Sequence, residues 1–276
     1  MINNNLACVL SIAGTDPSGG AGISADIKAI SATGGYAAAV ITALVAQNTQ
    51  GVQCIERVSP EFVHKQLNSV FLDLPISAVK IGMLHDERII AVVSKTLDKT
   101  RPPNIVFDPV MVAKDGSLLL ELDSISLLKE KLLPLTDLIT PNLFEAEYLI
   151  GGGIRNFQEM EAAALAIGQQ FRINVLIKGG HLETNESSDV LFNFTKNTID
   201  WFSSPRVKSS NTHGTGCTLS SAISSYLAQG LALYDAVASA KNYISHAIQS
   251  GKNYRLGKGN GPVDHFYFLE NRTREC

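Results

Sequence analysis

The chain is predicted to fold as one three-layer α/β domain over residues 1–276, a mainly parallel central sheet with helices on both faces. Three observations predict it. Short apolar runs alternate with helical-period segments along nearly the whole chain, the pattern of repeated strand–helix units. No Pro/Ser-rich linker, low-complexity block or internal repeat divides it. Polar residues gather directly after the apolar runs, where an open parallel sheet binds its ligands.

The elements follow in order. Leu6–Ile12 is a buried strand ending in the glycine-rich loop Ala13–Gly22. A helix runs from about Ile23 to Thr33, closed by Gly34-Gly35. Ala38–Ala46 is a second apolar run ending at Gln47-Asn48-Thr49, and Val52–Val58 is a further strand. Ser59 as N-cap and Pro60 at the first helical position start a helix to Asp73. The alternation then becomes regular: strand Ala78–Ile81, helix Asp86–Lys99, strand Ile105–Phe107, helix Leu122–Leu132, strand Leu138-Ile139, helix Leu143–Leu149, helix Gln158–Phe171, strand Val175–Ile177. Val190–Phe194 and Thr198–Phe202 read as an antiparallel pair. Helices Thr218–Ala228 and Tyr234–Ser250 precede the tail loop Gly257–Pro262.

Composition excludes some partners. A net charge of −3 is too near neutral for a nucleic-acid or membrane surface, so neither is expected. Leu6–Ile12 is too brief for a signal peptide and no apolar run is long enough to cross a bilayer, so a cytoplasmic location is expected. The four cysteines form no CxxC pair and read as free thiols. Cys8 and Cys54 are expected in the core, and Cys276 carries no implied role.

The chemistry centres on His213-Gly-Thr-Gly-Cys-Thr-Leu-Ser220. This loop opens a helix, whose N-terminus offers unpaired N–H groups and partial positive charge. Gly214, Thr215 and Gly216 let an anion approach the backbone closely. Cys217 falls in the first turn, where the same field favours a thiolate: a free thiol near pH ~8.5 falls to roughly 3.5–7.5 in such places. The expectation is an anion hole for a transferring phosphoryl group with Cys217 beside it. A Walker-type loop and the dinucleotide fingerprint are both excluded by spacing.

A set of motifs in fixed order then becomes specific. Gly14-Thr-Asp-Pro-Ser-Gly-Gly-Ala-Gly-Ile-Ser-Ala-Asp26, Ala46-Gln-Asn-Thr49, Lys80-Ile-Gly-Met-Leu84, Asp108-Pro-Val-Met111, Thr140-Pro-Asn-Leu-Phe-Glu145, Lys178-Gly-Gly-His181 and Asn211–Thr218 succeed one another. With these the chain resembles the bacterial hydroxymethylpyrimidine/phosphomethylpyrimidine kinases of thiamine biosynthesis, in the ribokinase-like superfamily, over almost its whole length. The resemblance implies an ATP- and Mg2+-dependent kinase and a homodimer. Its substrate would be 4-amino-5-hydroxymethyl-2-methylpyrimidine, phosphorylated on the hydroxymethyl group and then again to the diphosphate.

Each residue carried over has chemistry of its own. Gln47 offers an amide matched to an aminopyrimidine edge, as glutamine matches adenine. It also suits a loop cap. Met83 and Val110 follow strands and would wall the ring, or pack in the core. Asp26, near a helix start, is a second substrate-pocket candidate. Lys178 can neutralise phosphate oxygens as charge develops. Asn142 and Glu145 form the family's Asn-x-x-Glu element, with Glu145 expected to reach Mg2+ through water; the pair equally suits a first helical turn. Asp108 orients metal or phosphates, or ends its strand. Lys241 and the last helices are the candidate neighbours of the adenine. Cys217 stands where the resemblance places an aspartate base in the wider superfamily, and His213 reads as structural. The nearest rival is a pyridoxal or pyridoxine kinase on the same scaffold. A non-catalytic pyrimidine-binding protein is a second rival, weakened because a binder needs no phosphoryl-transfer apparatus. A sugar kinase is disfavoured by the missing aspartate and the absence of an obvious inserted lid.

Overall fold

The computed structural model describes residues 6–111, 122–180 and 185–269; Met1–Asn5, His181 and Cys276 lie outside them. Period-two alternation in the strands divides the apolar residues between two cores. Leu10, Ile12, Val79, Ile81, Ile105, Phe107, Ile139 and Val175 face one side. Val106, Leu138, Leu176 and Leu191 face the other. Strands buried on both faces read as continuous apolar runs and need helices on both sides.

The eight-stranded sheet has the order β10-β9-β8-β7-β6-β5-β1-β2. Its strands are β1 (Cys8–Ala13), β2 (Tyr36–Ile41), β5 (Ile76–Ile81), β6 (Ile105–Phe107), β7 (Leu138–Ile139), β8 (Asn174–Lys178), β9 (Glu186–Asn193) and β10 (Thr198–Pro205). From β2 to β8 all pairings are parallel. β9 and β10 add on antiparallel, as expected for the Val190–Phe202 region. Helices α2 (Pro60–Asp73), α3 (Glu87–Thr100), α5 (Leu143–Ile150) and α6 (Phe157–Phe171) cover the first core. Helices α1 (Gly22–Ala32), α7 (Thr215–Ala228) and α8 (Leu233–Gly251) lie on the opposite face; α7 and α8 supply most of the second core. Among the described residues no helix is long and apolar enough to cross a membrane.

Three expectations change. The run Ala38–Ala46 is not one strand. It breaks at Thr42, whose hydroxyl donates to the Met83 carbonyl at 2.7 Å, and β3 (Ala43–Asn48) leaves the sheet. β3 pairs antiparallel with β4 (Gly51–Arg57) as a separate two-stranded hairpin, so the fold does carry an inserted flap. Cys54 on β4 is accordingly exposed rather than core, while Cys8 is buried as expected. The segment 122–132 is helical throughout, but it passes from α4 (Leu122–Leu127) into a π-helical turn over Leu128–Leu132, and a 3-10 turn over Leu133–Leu135 follows. Pro134 has no N–H to continue an α-helix there.

The tail loop has a clear structural place. Lys258 N and Gly259 N donate to Thr49 Oγ1 at 3.1 Å, and Asn260 N to the Thr49 carbonyl at 2.9 Å. At the next residue, Gly261 N donates to Asn211 Oδ1 and its carbonyl accepts from His213 N, both at 3.1 Å. The loop straps the hairpin tip to the base of the 213–217 turn.

Candidate active site

The β1–α1 loop forms one wall. Asp16 accepts from Ser18 N at 2.8 Å, Ser18 Oγ at 2.7 Å, Ala21 N at 2.7 Å and Gly20 N at 3.2 Å. His213 Nε2 lies 2.8 Å from the same carboxylate. Burial opposes the charge on Asp16, but bonds from His213, Ser18, Gln47 and Ala21 hold its carboxyl far below the usual range. Gln47, reaching in from β3, therefore spends one amide donor on Asp16. Met83 closes the wall: its Cε would stand 2.7 Å from a Cβ placed on Gly14. Met83 and Val110, at the ends of β5 and β6, are both half-buried.

The 213–217 turn seats on that wall. Gly214 has φ 75°, and a Cβ there would lie 1.8 Å from the Gly20 carbonyl oxygen, so only glycine fits. Thr215 Oγ1 donates to the Thr212 carbonyl at 3.2 Å and Thr218 Oγ1 to the Gly214 carbonyl at 2.8 Å. His265 Nε2 meets Thr218 Oγ1 at 3.0 Å from behind. Helix α7 starts at Thr215, three residues earlier than expected, so the N–H groups of Thr215, Gly216 and Cys217 belong to its first turn.

Opposite stand the charges of β6, β8 and α5. A Cβ on Gly216 would lie 3.2 Å from Lys178 Nζ and 3.4 Å from Asp108 Oδ2, so the turn faces this pair directly. Lys178 Nζ donates to Asp108 Oδ1 at 2.6 Å, and Thr140 Oγ1 donates to the same oxygen at 3.1 Å. Asp108 is buried, yet Lys178 and Lys80 keep it ionised by drawing its pKa down. Asn142 and Glu145 make a reciprocal capping box on α5: Asn142 Oδ1 accepts from Glu145 N at 2.9 Å and Glu145 Oε2 from Asn142 N at 2.8 Å. Burial, with Asp108 adding and Lys178 opposing, pushes the Glu145 carboxyl up to about 7.

Two expected roles are corrected. Cys217 does stand in the first turn of α7, with the Gly22 N–H directed at its sulfur. Burial outweighs the helix field and the Lys80 charge, however, and pushes the thiol up to about 11; it is not a resting thiolate. Asp26 is no pocket wall. It is fully buried, and its oxygens are taken by Lys80 Nζ (2.9 Å to each), Ser11 Oγ (2.6 Å) and Ser221 Oγ (2.8 Å). Lys241, expected beside the adenine, is engaged within the chain. Its ammonium is held by Asp189 at 2.7 Å, whose other oxygen takes Gly179 N at 3.0 Å, so it braces the turn after Lys178. It still lines a groove with Val207, Asn242, Ser245 and His246.

The site also holds residues the motif reading left without a role. Lys80 opens the Lys80–Leu84 motif, and a lysine inside an apolar strand is itself a signal. Asp16 is bonded mostly within its own loop, but its contact with His213 spans 197 residues and His265 meets Thr218 across 47, so neither long-range pairing leaves a local signal.

Residues 16–264 match the family model described as phosphomethylpyrimidine kinase. The chain belongs to this family. It is 48% identical over 262 residues to the hydroxymethylpyrimidine/phosphomethylpyrimidine kinase of Salmonella typhimurium, covering 94% of this chain and 97% of that one. It is 47% identical over 262 residues to the thiamine biosynthesis bifunctional protein ThiED of Geobacter sulfurreducens, covering 95% of this chain but only 53% of that longer protein. The pyridoxal kinase of Staphylococcus aureus, solved with AMP-PCP and pyridoxal, superposes with a TM-score of 0.86 at 32% identity, over 98% of this chain and 96% of that one. These likenesses bear out the three-layer α/β, ribokinase-like architecture expected of a phosphomethylpyrimidine kinase family member.

Proposed function

We propose that the chain transfers the γ-phosphoryl of ATP to the hydroxymethyl oxygen of 4-amino-5-hydroxymethyl-2-methylpyrimidine, and then a second one to the resulting monophosphate. One observation carries the reading: the Gly214–Cys217 helix start closes on Lys178 and Asp108, at the strand ends where Gln47 also stands. The N–H groups of that turn and the Lys178 ammonium suit a phosphoryl group whose charge spreads in a loose transition state. Gln47 is assigned to the ring, with Met83 and Val110 as apolar walls.

The donor set fits Mg2+. Asp108 and Glu145 flank Lys178, and the upward push on Glu145 by Asp108 is a repulsion that a cation between them relieves. Both are hard oxygen donors, as Mg2+ prefers. Among the described residues no three His, Cys, Asp or Glu side chains gather to hold a metal alone, so phosphate oxygens and water complete the shell. Bound there, the ion would neutralise phosphate charge.

The two steps differ in their acceptor. The alcohol oxygen forms a bond to the γ-phosphorus, the bond to the ADP oxygen breaks, and the hydroxyl proton passes to Cys217 Sγ in its thiolate form. The phosphate acceptor of the second step is largely ionised already and needs no such transfer. Because burial leaves the resting thiol protonated, the alcohol step is expected to speed up as pH rises from 7 to 9, and the phosphate step much less.

The test is a product assay with ATP, Mg2+ and the pyrimidine, run in parallel with pyridoxal because of the S. aureus likeness. Monophosphate and diphosphate of the pyrimidine are expected. Turnover of pyridoxal alone would move the assignment to a pyridoxal kinase. Cys217→Ala is expected to slow the alcohol step at least ~100-fold and the phosphate step less than about tenfold, within the usual range for a general base. Equal losses would remove Cys217 from the role.

A further inference from the structure

We propose that Lys80 is a positioning residue for the alcohol step: its ammonium, fixed by Asp26 one helical turn beneath Cys217, is the counter-charge that makes a thiolate there attainable. The inference rests on the reading of Cys217 as proton acceptor. It starts from two helices meeting along successive turns. Gly22 on α1 directs its N–H at Cys217 on α7. Four residues on in each helix, Ser221 Oγ donates to Asp26 at 2.8 Å. Residues four apart share a helix face, so the Asp26–Ser221 contact lies directly below Gly22–Cys217. Lys80 enters that level from β5, bonding both Asp26 oxygens at 2.9 Å.

The pair is sealed. Lys80 and Asp26 side chains are both fully buried, and Ser11 Oγ, at 2.6 Å, completes the carboxylate's bonding. Room for the ammonium comes from Gly82, where a Cβ would stand 2.7 Å from Lys80 Nζ. A buried ion pair is a poor source of stability, since two apolar side chains of similar volume serve as well or better. Charge retained in the core beside a proton-accepting group points to the chemistry instead. Four charged groups face Cys217: Lys80 from β5, Asp26 from α1, Asp108 at the end of β6 and Lys178 at the end of β8. Lys178 is held by Asp108 in front of the anion turn, where phosphate would claim it. Lys80 has neither solvent nor phosphate to answer to, and its field acts on the sulfur throughout the cycle.

The two partners pull oppositely on Cys217, which gives a test that loss of structure does not mimic. The probe is iodoacetamide, with alkylation of the Cys217 peptide followed by mass spectrometry at fixed pH between 7 and 9. Below the thiol's midpoint the rate follows the thiolate fraction. Lys80→Met is expected to lower the rate roughly tenfold or more, and Asp26→Asn to raise it several-fold, by the sign rule for neighbouring charges. The alcohol-step kcat should follow the thiolate fraction in Lys80→Met, with the pyrimidine KM and the phosphate step within about threefold. Lys80→Met leaves a buried carboxylate without its cation and is at risk of unfolding. The double variant Lys80→Met/Asp26→Asn removes both charges and is expected to alkylate more slowly than wild type. Rates that move in the same direction in Lys80→Met and Asp26→Asn, or a double variant no slower than wild type, overturn the proposal. Alkylation needs no pyrimidine, so opposite shifts alongside a failed product assay would leave the coupling standing and reject the substrate reading.

Discussion

Glu145 shows what one residue must satisfy at once. Its carboxyl caps α5, accepts from Met111 N at 3.4 Å, and is pushed up to about 7 by burial and by Asp108. A glutamine keeps the cap acceptor and removes the costly charge. Glu145→Gln is therefore expected to raise the melting temperature or leave it unchanged, while raising the Mg2+ concentration for half-maximal rate by roughly tenfold; a metal titration of the rate checks it. A variant that lost stability and kept its metal dependence would make Glu145 a capping residue only. Residue type and motif made Glu145, Lys178 and Asp108 legible in the sequence. That the Cys217 thiol is pushed up was not legible, because the helix field is local whereas the burial that defeats it is set by the tertiary fold.

At the scale of elements, the critical join is Gly214, where α7 begins against the β1–α1 loop. An alanine there takes a left-handed backbone and drives its Cβ to 1.8 Å from Gly20. Gly214→Ala should cost about 2 kcal/mol or more, lower the melting temperature by about 4 °C or more, and cut kcat over ~100-fold as the anion turn shifts. Calorimetry and the product assay read both effects. A stable, active variant would show that the turn relaxes freely. Elements with their own end signals were legible: α2 runs over Pro60–Asp73 as Ser59 and Pro60 specify, and α3 starts after Asp86, which accepts from Arg88 N at 2.8 Å. The break at Thr42 was not, because a single threonine in the apolar run Ala38–Ala46 suits a strand, and the contacts that turn the chain there, with Met83 and Thr15, are far along it.

At the scale of the molecule, the C-terminal segment returns to lock the site from behind. His265 is buried, meets Thr218 at 3.0 Å, and is held down to about 4 because burial disfavours its cation. A histidine whose folded pKa lies below its unfolded value of about 6.5 stabilises the fold only while both states are neutral. That contribution is intact above pH 6.5 and is lost as pH falls towards 4, up to about 3 kcal/mol. Denaturant unfolding at pH 7 and pH 5 should show the loss, and His265→Gln should flatten it; an unchanged pH slope in the variant would place the effect elsewhere. By itself the sequence determined the layers, nearly every strand and helix, and the motif residues at the strand ends, because periodicity and caps act within a few residues. Only the tertiary structure decided which of those residues face the site and which brace it. Asp26 sits beneath Cys217, Lys241 behind Lys178, and the hairpin under its strap, because burial and long-range pairing set charge states that no local pattern records.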